Sequence, residues 1–381
     1  MKKKAMLIFL SLVLVMTVGL TAVACGNNDG DKTTTVDKKT IVYLGDSIAE
    51  ALIGPSPLNF RDEYGYYAIL GRRNDYKYYN RSVSGHKTED LVKIVDAKDE
   101  DAKMTRSLIT RADIIHISIL GNDMLQEPLG KLLVAVNDDT ADKSPIDNIV
   151  NNAVDNIFGI VRTIKRYNPT ATLIFQNVYN PVFGETSLLN DRDIEYGKKA
   201  DGKTEDKNVV VYPGSKTRLG ELIKAKYPEC TNPVEKYREF ATVLLNKLDG
   251  VLDTCLLGDE DGFVAPNSFI IVDAKAEFDR IYDEDPVRGA NLLFVDDIHP
   301  SNDGHAVLAD LTQKTLEKLN LANHDSALNN YKNMRINVLN KHFNGLPAVV
   351  ESIKAATSCE QVSSIYYQEI FKKGIAPSYI A

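Results

Sequence analysis

A serine, a histidine and an aspartate stand where this chain changes character. Ser47 lies in "YLGDSIAE", directly behind the apolar run "TIVYL" and ahead of a helix-forming stretch. His299 lies in "FVDDIHPSNDGHAVLA", with Asp296 three residues before it. Acyl transfer needs a nucleophile, a base within hydrogen-bond reach, a carboxylate that orients the base, and donors for an oxyanion. Ser47 offers the hydroxyl and His299 the imidazole. Asp296 sits about one turn away, so a local turn lets its carboxylate reach the ring. Gly85 in "NRSVSGHKTED" and Asn122 in "ILGNDML" follow two further apolar runs. The N–H groups of Ser47 and Gly85, with the Asn122 amide, would make three oxyanion donors. Taken singly, these segments have plain readings as a turn glycine or as helix caps. The acidic loop from Asp296 to His305 has neither EF-hand nor HExxH spacing, so no metal site is expected.

The elements that must carry these residues are legible as an alternation. Candidate strands cover 40–44, 76–83, 113–120, 171–178 and 268–274. Helix-like stretches cover about 61–72, 87–112, 146–167 and 233–249, with another after Asn302. Such alternation implies an α/β fold with a parallel sheet covered on both faces. Ser47, Gly85 and Asn122 then fall at the carboxyl ends of strands, where open α/β sheets bind ligands. Residues 184–231 break the rhythm with Lys, Asp, Glu and Gly and one apolar run, "VVVY", and read as an insertion or lid. Early tyrosines from Tyr64 to Tyr79 read as packing of a helix and strand, and His305 as a histidine that is structural or supports the site from behind, not a second base. From Asp325 onward, apolar faces suggest three short helices packed on the main domain, with Ser358 and Gln361 as a capping box.

In order, Ser47, Gly85, Asn122 and His299 resemble the four block residues of the SGNH (GDSL-type) hydrolases. "GDS", "SGH", "GND" and "DDIHPS" carry the resemblance, which spans roughly Lys38 to Leu321. It implies a flavodoxin-like three-layer α/β/α fold, here with a C-terminal helical extension over 322–381. It also implies a Ser47–His299–Asp296 triad, an oxyanion hole of Ser47, Gly85 and Asn122, and no cofactor. Leu120 takes the place two before Asn122 where such families often write Gly. No Gly-x-Ser-x-Gly elbow occurs, which argues against an ordinary α/β-hydrolase. The expected reaction is hydrolysis of short O-acyl esters, acetyl foremost, because the insertion lacks apolar runs to line a long acyl tunnel. The alternatives are a lipase or lysophospholipase, a polysaccharide acyltransferase, and a non-catalytic ligand-binding protein.

Bulk properties bound the setting. The chain has 381 residues, 44% apolar and 26% charged, with a net charge of −8 and no basic face for nucleic acid. Lys2, Lys3 and Lys4 precede an uncharged run from Ala5 to Val23, the layout of an export signal. "TAVAC" resembles the lipobox of bacterial lipoproteins, cut before Cys25, whose thiol is then lipidated. Residues 1–24 thus read as signal and 25–37 as lipidated Cys and tether, leaving the 38–321 domain at the outer face of a membrane. Cleavage takes the charge from −8 to −11, so the lipid and not charge would hold it there. No obligatory protein partner is implied; the partners expected are an acylated carbohydrate or lipid and the membrane. A helix between Cys230 and Cys255 would hold them about 25 Å apart, too far for a disulfide.

Overall fold

The computed structural model describes residues 38–52, 61–96, 100–127, 132, 135–136, 138–181, 195–198, 205–211, 233–293 and 298–375. Five strands, β1 (Thr40–Gly45), β2 (Lys77–Asn80), β3 (Ile114–Ser118), β4 (Thr172–Gln176) and β7 (Ile270–Val272), form one sheet in the order β2-β1-β3-β4-β7. Every pairing in it is parallel. The runs expected as strands are these five. The stretches 76–83 and 268–274 shorten to four and three residues, since residues 81–83 leave β2 as a loop and Asp273 caps the following helix.

Alternate side chains enter two cores, as residues buried on both faces of a sheet must. Val42, Leu44, Ile115, Ile117, Leu173 and Phe175 belong to one. Ile41, Tyr43, Ile114, Ile174 and Val272 belong to the other. The helices preceding and following the first strands are α1 (Arg61–Tyr64), α2 (Tyr66–Arg73), α3 (Thr88–Asp96), α4 (Glu100–Arg111) and α5 (Gly121–Leu125). Next come α6 (Ser144–Tyr167) and α7 (Pro233–Leu256), then α8 (Ala274–Glu284), α9 (Pro286–Asn291) and α10 (Asn302–Lys318). The first core takes Leu91 and Val95 of α3, Ile157 and Ile160 of α6, and Val251 and Leu252 of α7. The second takes Ile69 of α2, Phe278 of α8 and Leu308 of α10. This is a three-layer α/β/α arrangement. The strand order runs outward from β1 to β2 on one side and from β3 to β7 on the other. A crevice therefore opens at the carboxyl ends of β1 and β3.

The tail forms α11 (His324–His342), α12 (Pro347–Ala355) and α13 (Cys359–Tyr366). Tyr331, Val338, Leu339, Ile353, Val362 and Tyr366 join the second core, so the appendage shares its interior with the sheet. Ser358 accepts from Gln361 N at 3.2 Å, while the Gln361 side chain accepts from Thr357 N at 2.6 Å, one residue before the cap.

Three expectations change in detail. The segment behind Ser47 is a turn and not a helix: Glu50 N and Leu52 N bond back to Asp46 and Ser47, and Ala51 at φ +59° ends the helical course. The stretches 61–72 and 87–112 each divide into two helices. Within 184–231, Glu195–Lys198 (β5) and Glu205–Val211 (β6) pair as an antiparallel hairpin that takes up the valines of "VVVY". Cys255 is a buried free thiol, pushed up to about 12 by burial and Asp155; Cys230 lies outside the described residues. So do residues 1–37, on which the expectations of a signal and of a lipidated Cys25 fall. No described helix is long and apolar enough to cross a membrane.

Candidate active site

The nucleophile turn begins where β1 meets β3. Gly45 has φ +141°, and a Cβ there would lie 1.8 Å from the Ser118 carbonyl oxygen, so only glycine lets the chain turn so close. Asp46 N then donates to that carbonyl at 3.0 Å, and a carboxylate oxygen of Asp46 accepts from Ile48 N at 2.9 Å. Between these bonds Ser47 is presented at the pocket, largely buried.

The Gly85 loop leaves β2 under restraint from several sides. Asn80 donates to the Ala49 carbonyl at 2.7 Å and accepts from Ser82 N at 3.0 Å. Val83 N donates to the Gly45 carbonyl at 3.0 Å. Gly85 adopts φ +82°, a left-handed conformation that favours glycine. Its carbonyl accepts from the Gln126 amide at 2.6 Å, and the Asn122 amide donates to the His86 carbonyl at 3.0 Å. Asp123 accepts from the Thr88 hydroxyl at 2.6 Å and from Thr88 N, tying the start of α3 to the Asn122 loop. The N–H groups of Ser47 and Gly85 have no hydrogen-bond partner among the described residues. Leu120, where a glycine was expected from the resemblance, is buried at φ +101°, a conformation costly for a side-chain-bearing residue by about 1–3 kcal/mol.

His299 lies between α9 and α10, three residues before α10. The Tyr179 hydroxyl donates to the Ile298 carbonyl, and its ring stacks on Phe278 with centroids 4.4 Å apart. Leu293 and Pro300 bridge the loop's base. Ser301 caps α10, accepting from Gly304 N at 3.2 Å, and Arg288 forks onto Asp303 at 3.0 and 3.2 Å. Asp296 lies outside the described residues.

Ser47, Gly85, Asn122 and His299 line a single cavity of about 240 Å³. The rest of its wall is largely apolar. Met124 and Leu125 come from α5, Val178 and Ile298 from loops, and Leu244, Leu245 and Leu248 from one face of α7. Asp46 also lines it. Burial raises its carboxyl to about 7, against the lowering pull of the Ile48 N–H and the His299 charge. His116 and His305 are both fully buried and driven down to about 3 by loss of solvent. The His305 ring stacks against Tyr66, consistent with a structural role. Tyr64, Tyr66, Tyr67 and Tyr76 are buried packing, as expected, whereas Tyr78 is half-buried and Tyr79 is exposed.

A hydroxyl, an imidazole and an amide on one largely apolar cavity, beside two backbone N–H groups that no described residue engages, suit attack on an ester carbonyl. Sequence reasoning missed the α7 wall, although the helical spacing of Leu244, Leu245 and Leu248 was visible. It also missed Tyr179, which carried no signal beyond its place after a strand.

Residues 41–312 match the family model of GDSL-like lipases and acylhydrolases. Among solved structures, the chain is similar to the lipase Lip_vut3 from a goat rumen metagenome, at 14% identity and a TM-score of 0.43, over 73% of this chain and 97% of that one. It is also similar to an extracellular lipase from Streptomyces rimosus, at 13% identity and a TM-score of 0.41, over 72% and 99%. For phospholipase A1 from Streptomyces albidoflavus NA297 the figures are 12% and 0.42, over 73% and 99%. No curated protein matches. With the family model spanning most of the chain and its four blocks gathered at one sheet edge, this protein belongs to the GDSL-like lipase/acylhydrolase family and is a carboxylic ester hydrolase.

Proposed function

We propose that this protein is a serine acylhydrolase working through Ser47, His299 and Asp296, with the Ser47 and Gly85 N–H groups and the Asn122 amide as its oxyanion hole. The observation that carries the reading is the convergence of Ser47, Gly85, Asn122 and His299 on one apolar cavity. His299 takes the Ser47 proton as the oxygen attacks the ester carbonyl, and Asp296 steadies the imidazolium. Each donor to the oxyanion is worth roughly 3 kcal/mol of barrier. The tetrahedral intermediate collapses as His299 protonates the leaving alcohol. His299 then removes a proton from water, which attacks the acyl-enzyme and releases the acid and free Ser47.

The acyl group enters the cavity between α7 and the Asn122 loop. The expectation of an acetyl group rested on the polar insertion at 184–231; the Leu244, Leu245 and Leu248 lining of the cavity supports a longer acyl group. Each CH₂ buried there contributes about 0.8 kcal/mol, roughly fourfold in kcat/KM. Aryl esters should therefore be hydrolysed with efficiency rising from the two-carbon to about the six- or eight-carbon acyl group, and Ser47→Ala should abolish turnover in a folded protein. Equal hydrolysis by Ser47→Ala would overturn the mechanism, and a maximum at acetyl would restore the small-acyl reading.

"TAVAC" further supports an exported protein lipidated at Cys25 and held at the outer face of a bacterial membrane. Multiple acylation at one Cys gives firm anchorage where a single chain would not. Cys25→Ser should leave an uncleaved precursor or a released protein. Membrane retention of that variant at the mature mass would contradict the lipid anchor.

A further inference from the structure

Glu50 has no place in the acyl-transfer chemistry, yet it joins the two loops that the chemistry depends on. It sits in the nucleophile turn, three residues after Ser47. One carboxylate oxygen accepts both the Ser84 N–H, at 2.7 Å, and the Ser84 hydroxyl. The other accepts from the Arg61 guanidinium. Ser84 immediately precedes Gly85, so the peptide before the Ser84–Gly85 bond is pinned to the nucleophile turn. The peptide after it is pinned through the Gly85 carbonyl to Gln126, at 2.6 Å. The peptide between carries the Gly85 N–H, which no described residue engages.

We propose that Glu50 is a positioning residue that fixes the direction of the Gly85 N–H relative to Ser47 by clamping Ser84 to the nucleophile turn. The inference rests on the serine acylhydrolase reading above. Only an ionised carboxylate can accept from three donors without offering one of its own. Burial works against its charge, but the Ser84 and Arg61 donors hold the carboxyl below its ordinary range. A partly exposed Glu–Arg pair on its own is worth little. What Glu50 adds is geometry, and an oxyanion donor loses its value steeply when it is misdirected.

The test compares Glu50→Gln, Ser84→Ala and Arg61→Gln with the wild type on one aryl ester, and measures inhibition by an alkylboronic acid, which forms a tetrahedral adduct on serine. Glu50→Gln puts an NH₂ among donors. Its kcat should fall by about tenfold to a hundredfold, with KM within about twofold, and its boronate Ki should weaken by the same factor as kcat/KM falls. Ser84→Ala keeps the backbone contact, so a smaller loss of the same kind is expected even if Glu50→Gln folds poorly. Arg61→Gln leaves Ser84 clamped and should stay near wild-type kcat.

An unchanged kcat in folded Glu50→Gln, a loss confined to KM, or an equal loss in Arg61→Gln would overturn the positioning role while leaving the esterase reading intact. Unchanged kcat and boronate Ki in Ser84→Ala would overturn it too. A wild type that neither hydrolyses the ester nor binds the boronate would bring down both.

Discussion

Asp46 shows how much of the site is set by a single buried group. It has lost its solvent, and its carboxyl titrates near 7 in place of the ordinary 3.8. The unfolded chain releases that proton near 4. Between about pH 4 and 7 the native state therefore holds a proton that the unfolded state has lost, so this group makes stability fall as pH rises through that window. Above about 7 its penalty is complete. Asp46→Asn retains an acceptor for the Ile48 N–H and cannot ionise. It should match the wild type at pH 4 and exceed it at pH 8 by up to roughly 4 kcal/mol, read from urea unfolding at the two values. A constant difference across the window would mean that Asp46 is not held away from solvent. The sequence quoted this residue inside "GDS" without revealing its burial, because burial depends on β3 and on the Asn122 loop some 70 residues away.

At the scale of elements, the parallel sheet was legible because its central strands β1, β3 and β4 are short apolar runs whose pattern leaves no polar face. "DIIHISIL" reads as a strand buried on both sides and is one, with even His116 fully enclosed. Helix α7 was legible as a helix, through Pro233 and its leucines, but not as the wall of the acyl cavity. Helical periodicity tells which residues share a face, and only the packing against α6 and the sheet decides what that face meets. The same limit hid the Glu50 clamp, whose partners Ser84 and Arg61 lie 34 and 11 residues away.

The wall can be altered with one residue. Ala241 lines the cavity one turn before Leu244 and Leu245. A phenylalanine there would project into space that the acyl chain needs. Ala241→Phe should lower kcat/KM for an eight-carbon acyl ester by tenfold or more and leave the two-carbon ester within about twofold. A uniform loss across chain lengths would mean that α7 does not contact the acyl group.

Across the whole molecule, two cores share one sheet, and the rim between them gathers blocks separated by more than 250 residues of sequence, from Ser47 to His299. The first core carries the Asn122 loop and the α7 wall. The second carries Tyr179 and the helices behind His299, and it extends without a break into α11, α12 and α13. The tail is thus part of the platform under the histidine loop. That the tail packs on the main domain was legible, but not which elements it meets, since an amphipathic face announces that it is covered but not by what.

The central claim is that Ser47 is a nucleophile activated within this rim, and a covalent probe reads that without assuming a substrate. The full-length protein would be treated with an alkyl fluorophosphonate, digested, and the adduct located by mass spectrometry. The account predicts one phosphonyl group per chain, on Ser47, absent from Ser47→Ala and slowed at least a hundredfold in His299→Ala. Labelling that persists in Ser47→Ala, or an adduct mapped to any other residue, would contradict it.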